Sequence, residues 1–197
     1  MKRVITVSRE FGSGGRSIGR MVAEKLGYAF YDRELVEKVA ERSGFSPDFI
    51  EESGEYASSR HSLLFSLATA NQFSADGLSV TDRLYLEQSK IIEELAEKGN
   101  CVIVGRCADH ILQGREDVLH VFIHANTECR AKRIVERYGE CDKSPEKRLA
   151  DKDQKRKVYY KNYTGQNWGQ AQNYDLCLNS SVLGLEACAE FIVQAAK

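Results

Sequence analysis

The chain has 197 residues, of which 42% are hydrophobic and 29% charged, and a formal net charge of −1. That length suits one domain, or one domain with an inserted segment, and it buries a sizeable core without disulfide staples. The balanced charge excludes a general polyanion binder, so any basic patch must be local.

Arg3 to Ser8 reads as a short buried strand, because Val4, Ile5 and Val7 are β-branched and a glycine cluster ends the run. A helix is predicted from about Arg16 to Leu26, with Ile18, Met21, Val22 and Leu26 at helical spacing and Gly27 as its stop. Tyr28 to Tyr31 is a second strand, and Arg33 to Ser43 an amphipathic helix closed by Gly44. Ser46-Pro47 has the form of an N-cap followed by a first-turn proline. Residues 48 to 80 carry an apolar run, Leu63 to Ala70, and a polar stretch, Asn71 to Gly77, and are read as helices and loops. A longer helix opens at Thr81 or Asp82 and closes at Gly99. Cys101 to Val104 and Val118 to Ile123 are the third and fourth strands. Charged helices follow at Thr127 to Tyr138 and from Ser144-Pro145 to about Tyr160. Tyr174 to Leu178 is the fifth strand, and 184 to 195 the last helix. The strands are continuous apolar runs alternating with helices, which suits a parallel sheet covered on both faces. The expected fold is a three-layer α/β/α sheet of five strands.

Arg9 and Glu10 interrupt the N-terminal apolar run, so no signal peptide is expected. No apolar run approaches the ~20 residues of a membrane span. The six cysteines have no CxxC spacing and read as free thiols, and the expected location is the cytoplasm.

Arg9-Glu10-Phe11-Gly12-Ser13-Gly14-Gly15-Arg16-Ser17 joins the first strand to the first helix. Three glycines let the backbone curl with its N–H groups inward, and the helix adds its positive end, so Gly12, Ser13, Gly14, Gly15, Arg16 and Ser17 form a candidate phosphate cradle. Arg16 can reach outer phosphates, and the Ser17 hydroxyl can ligate magnesium. The GxxxxGK[ST] pattern of the P-loop aligns on Glu10 to Ser17, with glutamate for its first glycine and arginine for its lysine. A glycine-rich turn with no ligand is the alternative. Arg106, followed by Asp109, ends the third strand, and Asp32-Arg33 the second. Ligands gather at the carboxyl ends of open α/β sheets, so these residues are candidates for a second phosphate, unless they are merely surface groups.

From Arg130 to Lys157 there are 11 Lys/Arg against 6 Asp/Glu. Arg130, Arg133 and Arg137 share one helical face, and Asp153 and Arg156 another. A solvated helix is the plain explanation. The rival is a lid whose arginines stabilise charge during phosphoryl transfer. Few aromatics interleave, which disfavours nucleic acid as a partner.

Taken together, ITVSREFGSGGRSIG at Ile5 to Gly19, FYDREL at Phe30 to Leu35, VIVGR at Val102 to Arg106, DKDQKRKVYYKNYTG at Asp151 to Gly165 and YDLCLNSS at Tyr174 to Ser181 resemble the cytidylate kinase-like branch of the P-loop nucleoside monophosphate kinases. The resemblance implies a core over 1–33, 99–135 and 170–197, an NMP-binding insertion near 34–98 and a lid near 136–160. It implies ATP and magnesium as donor, a small nucleotide as acceptor (CMP or dCMP), and no membrane partner. Gly12 to Ser17 would hold the ATP phosphates. Asp32, Arg33, Arg106, Asp109 and Asp153 would face the acceptor. Arg16, Arg130, Arg133 and Arg156 would serve catalysis, and Asn179 to Val182 would border the adenine. The chain departs from the family pattern at Glu10, at Arg16, and at Cys107, where an aspartate usually follows the strand-three arginine. Two rivals stay open: a kinase of another small metabolite, and a nucleotide-binding regulator without turnover.

Overall fold

The computed structural model describes residues 1–53 and 78–197. The expected segments Leu63 to Ala70 and Asn71 to Gly77 lie outside the described residues. Five strands, β1 (Val4–Arg9), β2 (Ala29–Tyr31), β3 (Cys101–Val104), β4 (Val118–His124) and β5 (Leu176–Asn179), form one sheet in the order β2-β3-β1-β4-β5. All neighbours are parallel, with Val4 opposite both Cys101 and Val118. The helices are α1 (Gly15–Leu26), α2 (Arg33–Ser43), α3 (Pro47–Ser53), α4 (Val80–Lys98), α5 (Ala108–Ile111), α6 (Thr127–Tyr138), α7 (Pro145–Thr164), α8 (Ser180–Leu183) and α9 (Leu185–Ala196).

Alternation along the buried strands divides the core in two. Val4, Cys101, Ile103 and Val118 pack on one face against Leu35, Val39, Ile91, Ile92 and Leu95 of α2 and α4. Ile5, Val7, Val102, Val104, Val121 and Ile123 pack on the other against Ile18 and Val22 of α1 and Ile192 and Val193 of α9. Because both faces are covered, the central strands β1, β3 and β4 are mainly apolar, with Thr6, Ser8 and Arg9 the polar positions of β1 and His120 and His124 those of β4. The three-layer α/β/α architecture is the expected one. Among the described residues no helix is long and apolar enough to cross a membrane.

The predicted elements differ mainly at their ends. Helix α4 starts at Val80, because the Ser79 hydroxyl accepts from the Asp82 amide at 3.1 Å and caps it. Helix α7 continues to Thr164, because Tyr159, Tyr160 and Tyr163 belong to an aromatic cluster with Tyr85 and Trp168. Strand β5 starts two residues late, after a 3₁₀ turn over Ala171–Asn173. The short helices α5 and α8 were not expected.

Chain order places the site. The chain runs out from central β1 to edge strand β2, returns to β3 beside β1, and then crosses to β4 on the other flank. The carboxyl ends of β1, β2 and β3 therefore meet at a change of direction in the sheet, where α/β folds open a crevice. Ile103 is fully buried on the α4 face. Ile103→Ala is expected to cost about 2–5 kcal/mol of unfolding free energy in urea titration, and a loss below about 1 kcal/mol would contradict this packing.

Candidate functional site

A cavity of about 780 Å³ opens at these strand ends. Ten of its lining side chains are Lys or Arg against three carboxylates, Glu10, Asp32 and Asp48. That excess contrasts with the near-neutral chain and makes the cavity a trap for anions.

The turn after β1 forms one wall. Gly12 has φ 79° and Gly14 φ 82°, both left-handed. A Cβ at Gly15 would lie 2.5 Å from the Arg9 Cβ, so that position has no room for a side chain. Ser13 is fully buried. Its hydroxyl donates to the Glu10 carbonyl at 2.9 Å, and its own carbonyl accepts from the Ser180 hydroxyl at 2.6 Å. Ser13 and Ser180, the latter within the Asn179 to Val182 stretch, thus brace the turn from beneath. Glu10, at the position of the first P-loop glycine, is not among the residues with positive φ, so nothing in the backbone demands a glycine there. Its carboxylate accepts from the Ala125 amide at 3.1 Å and pairs with Arg130 Nη1 at 2.8 Å.

Arg130 and Asp153 do not line the cavity. Both are buried behind the turn, where Arg130 Nη2 pairs with Asp153 Oδ2. Arg130 Nε donates to the Phe11 carbonyl at 2.9 Å, and Asp153 Oδ1 accepts from the Phe11 amide at 2.8 Å. The two charged groups therefore grip both polar atoms of one peptide-bearing residue. Burial pushes the Asp153 carboxyl up, and the Phe11 amide, Arg130 and Arg156 pull it back.

Gly12, Gly14, Gly15, Arg16, Ser17, Asp32, Arg33, Arg106, Arg133 and Arg156 do line the cavity. Arg16 Nε pairs with Asp32 Oδ2 at 2.6 Å. The Ser17 hydroxyl accepts from Arg137 Nη1 at 3.3 Å. Arg156 is buried, with Nη1 donating to the Arg9 carbonyl at 2.9 Å and its guanidinium 5.9 Å from the centre of the Phe11 ring. Gly105, Arg106 and Cys107 have φ of 71°, 61° and 56° in succession. A left-handed conformation costs roughly 1 kcal/mol or more for a residue with a Cβ. This kink turns the chain off β3 beside the cavity, and Gln88 Nε2 holds it by donating to the Arg106 carbonyl at 3.1 Å and to the Tyr159 hydroxyl at 3.2 Å. Arg106 Nη1 donates to the Ile50 carbonyl at 3.4 Å.

Asp109 points away from the cavity. It is buried, and accepts from the Ser8 hydroxyl at 3.1 Å and the Tyr160 hydroxyl at 2.7 Å. Burial raises its pKa, partly offset by those two hydroxyls. Arg137, Arg148, Lys152 and Lys155 were not singled out as site residues, yet they line the cavity. Their signal was present in the spacing of 148, 152 and 155 along one face of α7.

Two outcomes follow. Asp153→Asn leaves Arg130 buried with a weaker partner, and is expected to cost about 3 kcal/mol in urea unfolding; a change under about 1 kcal/mol would refute the clamp. Asp109 has a folded-state pKa above its unfolded one, so its contribution to stability falls as pH rises from the ordinary carboxylate range through the folded value. Asp109→Asn should flatten that descent in unfolding titrations that start in the ordinary carboxylate range and run upward in pH, and an unchanged slope would exclude Asp109 as its source.

Residues 4–182 match the Cytidylate kinase-like family. The cytidylate kinase of Archaeoglobus fulgidus is 30% identical over 197 residues, covering 97% of this chain and 93% of that protein. A crystal structure of an uncharacterized protein from Eubacterium ventriosum superposes with a TM-score of 0.74 at 25% identity, covering 99% of this chain and 98% of that one. Shikimate kinase from Acinetobacter baumannii, solved in complex with shikimate, shares the fold with a TM-score of 0.56 at 15% identity, covering 99% and 93%.

Proposed function

The chain belongs to the cytidylate kinase-like family, and on that premise we propose that it transfers the γ-phosphoryl group of ATP to the phosphate of a nucleoside monophosphate, with CMP or dCMP as acceptor. The observation that carries this reading is the pairing of a glycine cradle, Gly12 to Gly15, with a cavity in which cations outnumber carboxylates ten to three. A cavity of about 780 Å³ is large enough for nucleotide-sized ligands. The amides of the turn and the first turn of α1 would take the donor phosphates, as helix N-termini take anions. On the same reading the segment near 34–98 is the acceptor-binding insertion and 136–160 the lid.

The donor set suits magnesium that arrives with its nucleotide. Among the described residues no group of three His, Cys, Asp or Glu gathers as a resident metal site. Magnesium bound to a triphosphate needs only one or two protein ligands, and the Ser17 hydroxyl lines the cavity. When bound, the ion would neutralise charge on the phosphate oxygens. The remaining work falls to the chain. Arg16 would hold the outer donor phosphates, Arg33 and Arg106 the acceptor phosphate, and Arg133 and Arg156 the group in transit. One bond forms from an acceptor phosphate oxygen to the γ-phosphorus while the bond to the bridging oxygen breaks, and ADP leaves. No side chain need act as nucleophile, so the protein contributes position and positive charge. The buried Phe11–Arg130–Asp153 contacts would keep the cradle shaped between turnovers. Closure of the α6–α7 arginines would exclude water and limit ATP hydrolysis.

A second acceptor class has one observation behind it. Cys107 is buried and Asp109 turns inward to Ser8 and Tyr160, so no carboxylate lies in the cavity where one follows the strand-three arginine in cytidylate kinases. A small hydroxylated metabolite would not need that group.

A coupled ADP-release assay over monophosphates and small hydroxylated metabolites tests the acceptor, and turnover highest with CMP or dCMP is expected. Arg16→Ala is expected to lower kcat/KM by about a hundredfold or more. Unimpaired transfer by that variant would remove Arg16 from the mechanism. Tight ATP binding with no transfer to any acceptor would replace the enzyme reading by a regulator.

A further inference from the structure

Resting on the kinase reading, we infer that Asp32 is a positioning residue for Arg16, and that arginine occupies this loop position because a guanidinium can be held by a carboxylate and still offer donors to a phosphate. Arg16 is the second residue of α1, and Asp32 immediately precedes α2. Their contact joins Arg16 Nε to Asp32 Oδ2 at 2.6 Å. Both side chains line the cavity, that of Asp32 15% exposed and that of Arg16 38%.

Three facts argue that this pairing is built rather than incidental. An aspartate just before a helix ordinarily caps it through its carboxylate, yet Asp32 makes no such hydrogen bond, and its backbone sits at φ −140°, ψ −82°. The Asp32 amide instead donates to Glu34 Oε2 at 3.3 Å. Strand β2 is anchored by pairing Ala29–Tyr31 with Cys101–Ile103, so the position of Asp32 relative to the turn after β1 is set by the sheet. The contact falls on Nε, the nitrogen nearest the stem, so it uses the side of the guanidinium and not the end-on edge between its two terminal nitrogens. A planar fork can thus engage a carboxylate on one edge and phosphate oxygens on another. A lysine has one nitrogen. Beside Asp32 its ammonium would settle on the carboxylate, and its charge would be withdrawn from the nucleotide.

The test is a double-mutant cycle read by two methods. Calorimetry with MgATP and no acceptor reports donor binding, and steady-state kinetics report KM for each substrate. Arg16→Lys alone should weaken MgATP binding by about tenfold or more. Asp32→Asn alone should also weaken MgATP binding, by severalfold, since the guanidinium is then unheld. In Arg16→Lys with Asp32→Asn the lysine is released from the carboxylate, and MgATP binding should recover at least about fivefold over Arg16→Lys alone. The inference is overturned if the two losses simply multiply. It is equally overturned if Asp32→Asn leaves MgATP affinity unchanged and raises only the acceptor KM, which is what an acceptor ligand would do. The pair is partly exposed, so the variants should melt within a few degrees of the unmodified chain, and Asp32→Ala provides a second removal of the carboxylate if Asp32→Asn does not. Failure of the unmodified chain to bind any triphosphate would instead remove the kinase reading and this inference together.

Discussion

Arg130 and Asp153 meet behind the turn that follows β1, both buried, and each also makes a hydrogen bond to the Phe11 backbone. A carboxylate and a guanidinium buried in this way gain little net stability, because desolvation cancels much of their attraction. What they contribute is uniqueness. The Phe11 amide and carbonyl have partners in one arrangement, and Glu10 adds a further contact from Arg130 to the turn. A glycine-rich segment has many backbone states open to it in isolation. Here it is confined from one side by α6 and α7 and from below by Ser180, so its shape exists before any ligand enters. A site that is already shaped loses less entropy when it binds.

Much of this was legible in the sequence. The strand, glycine turn and helix at the N-terminus, the arginine after β3 and the Asp32-Arg33 pair after β2 follow from periodicity and turn chemistry, and the parallel sheet brings them to one edge. The charged helices were harder. Helical spacing shows which residues share a face of α6 or α7, but not which face meets the core. Arg130 and Arg133 look equivalent along the chain, yet one is buried against Asp153 and the other lines the cavity. The same holds for Asp153 against Lys152 and Lys155. Only packing, here Ile134 and Leu149 drawing the two helices together around Phe11, decides the rotation. Asp109 also could not be placed from sequence. It follows a kink of three left-handed residues, which redirects the chain in a way no propensity scale anticipates.

The departures from the P-loop pattern have physical counterparts. Glycine is needed where φ is positive or where a Cβ has no room, and the position of Glu10 meets neither condition. A side chain is therefore admissible, and this one ties the turn to the segment after β4 through the Ala125 amide. Arg16 differs from lysine in being able to serve two anionic partners on different edges. Both substitutions replace simple residues with ones that reach neighbouring elements, so the turn is more strongly cross-linked to the rest of the fold than a bare glycine loop would be.

Gln88 bears on how the outer helices can move. Its one amide nitrogen reaches the backbone of Arg106 and the hydroxyl of Tyr159, fastening α4 and α7 to the same point at the end of β3. That nitrogen is shut away from water, so sliding either helix past the other would strand two acceptors without solvent to replace it. The long helix of the expected insertion and the long helix of the expected lid consequently share a pivot. At that end any relative displacement of α4 and α7 would break both hydrogen bonds, so this contact resists it.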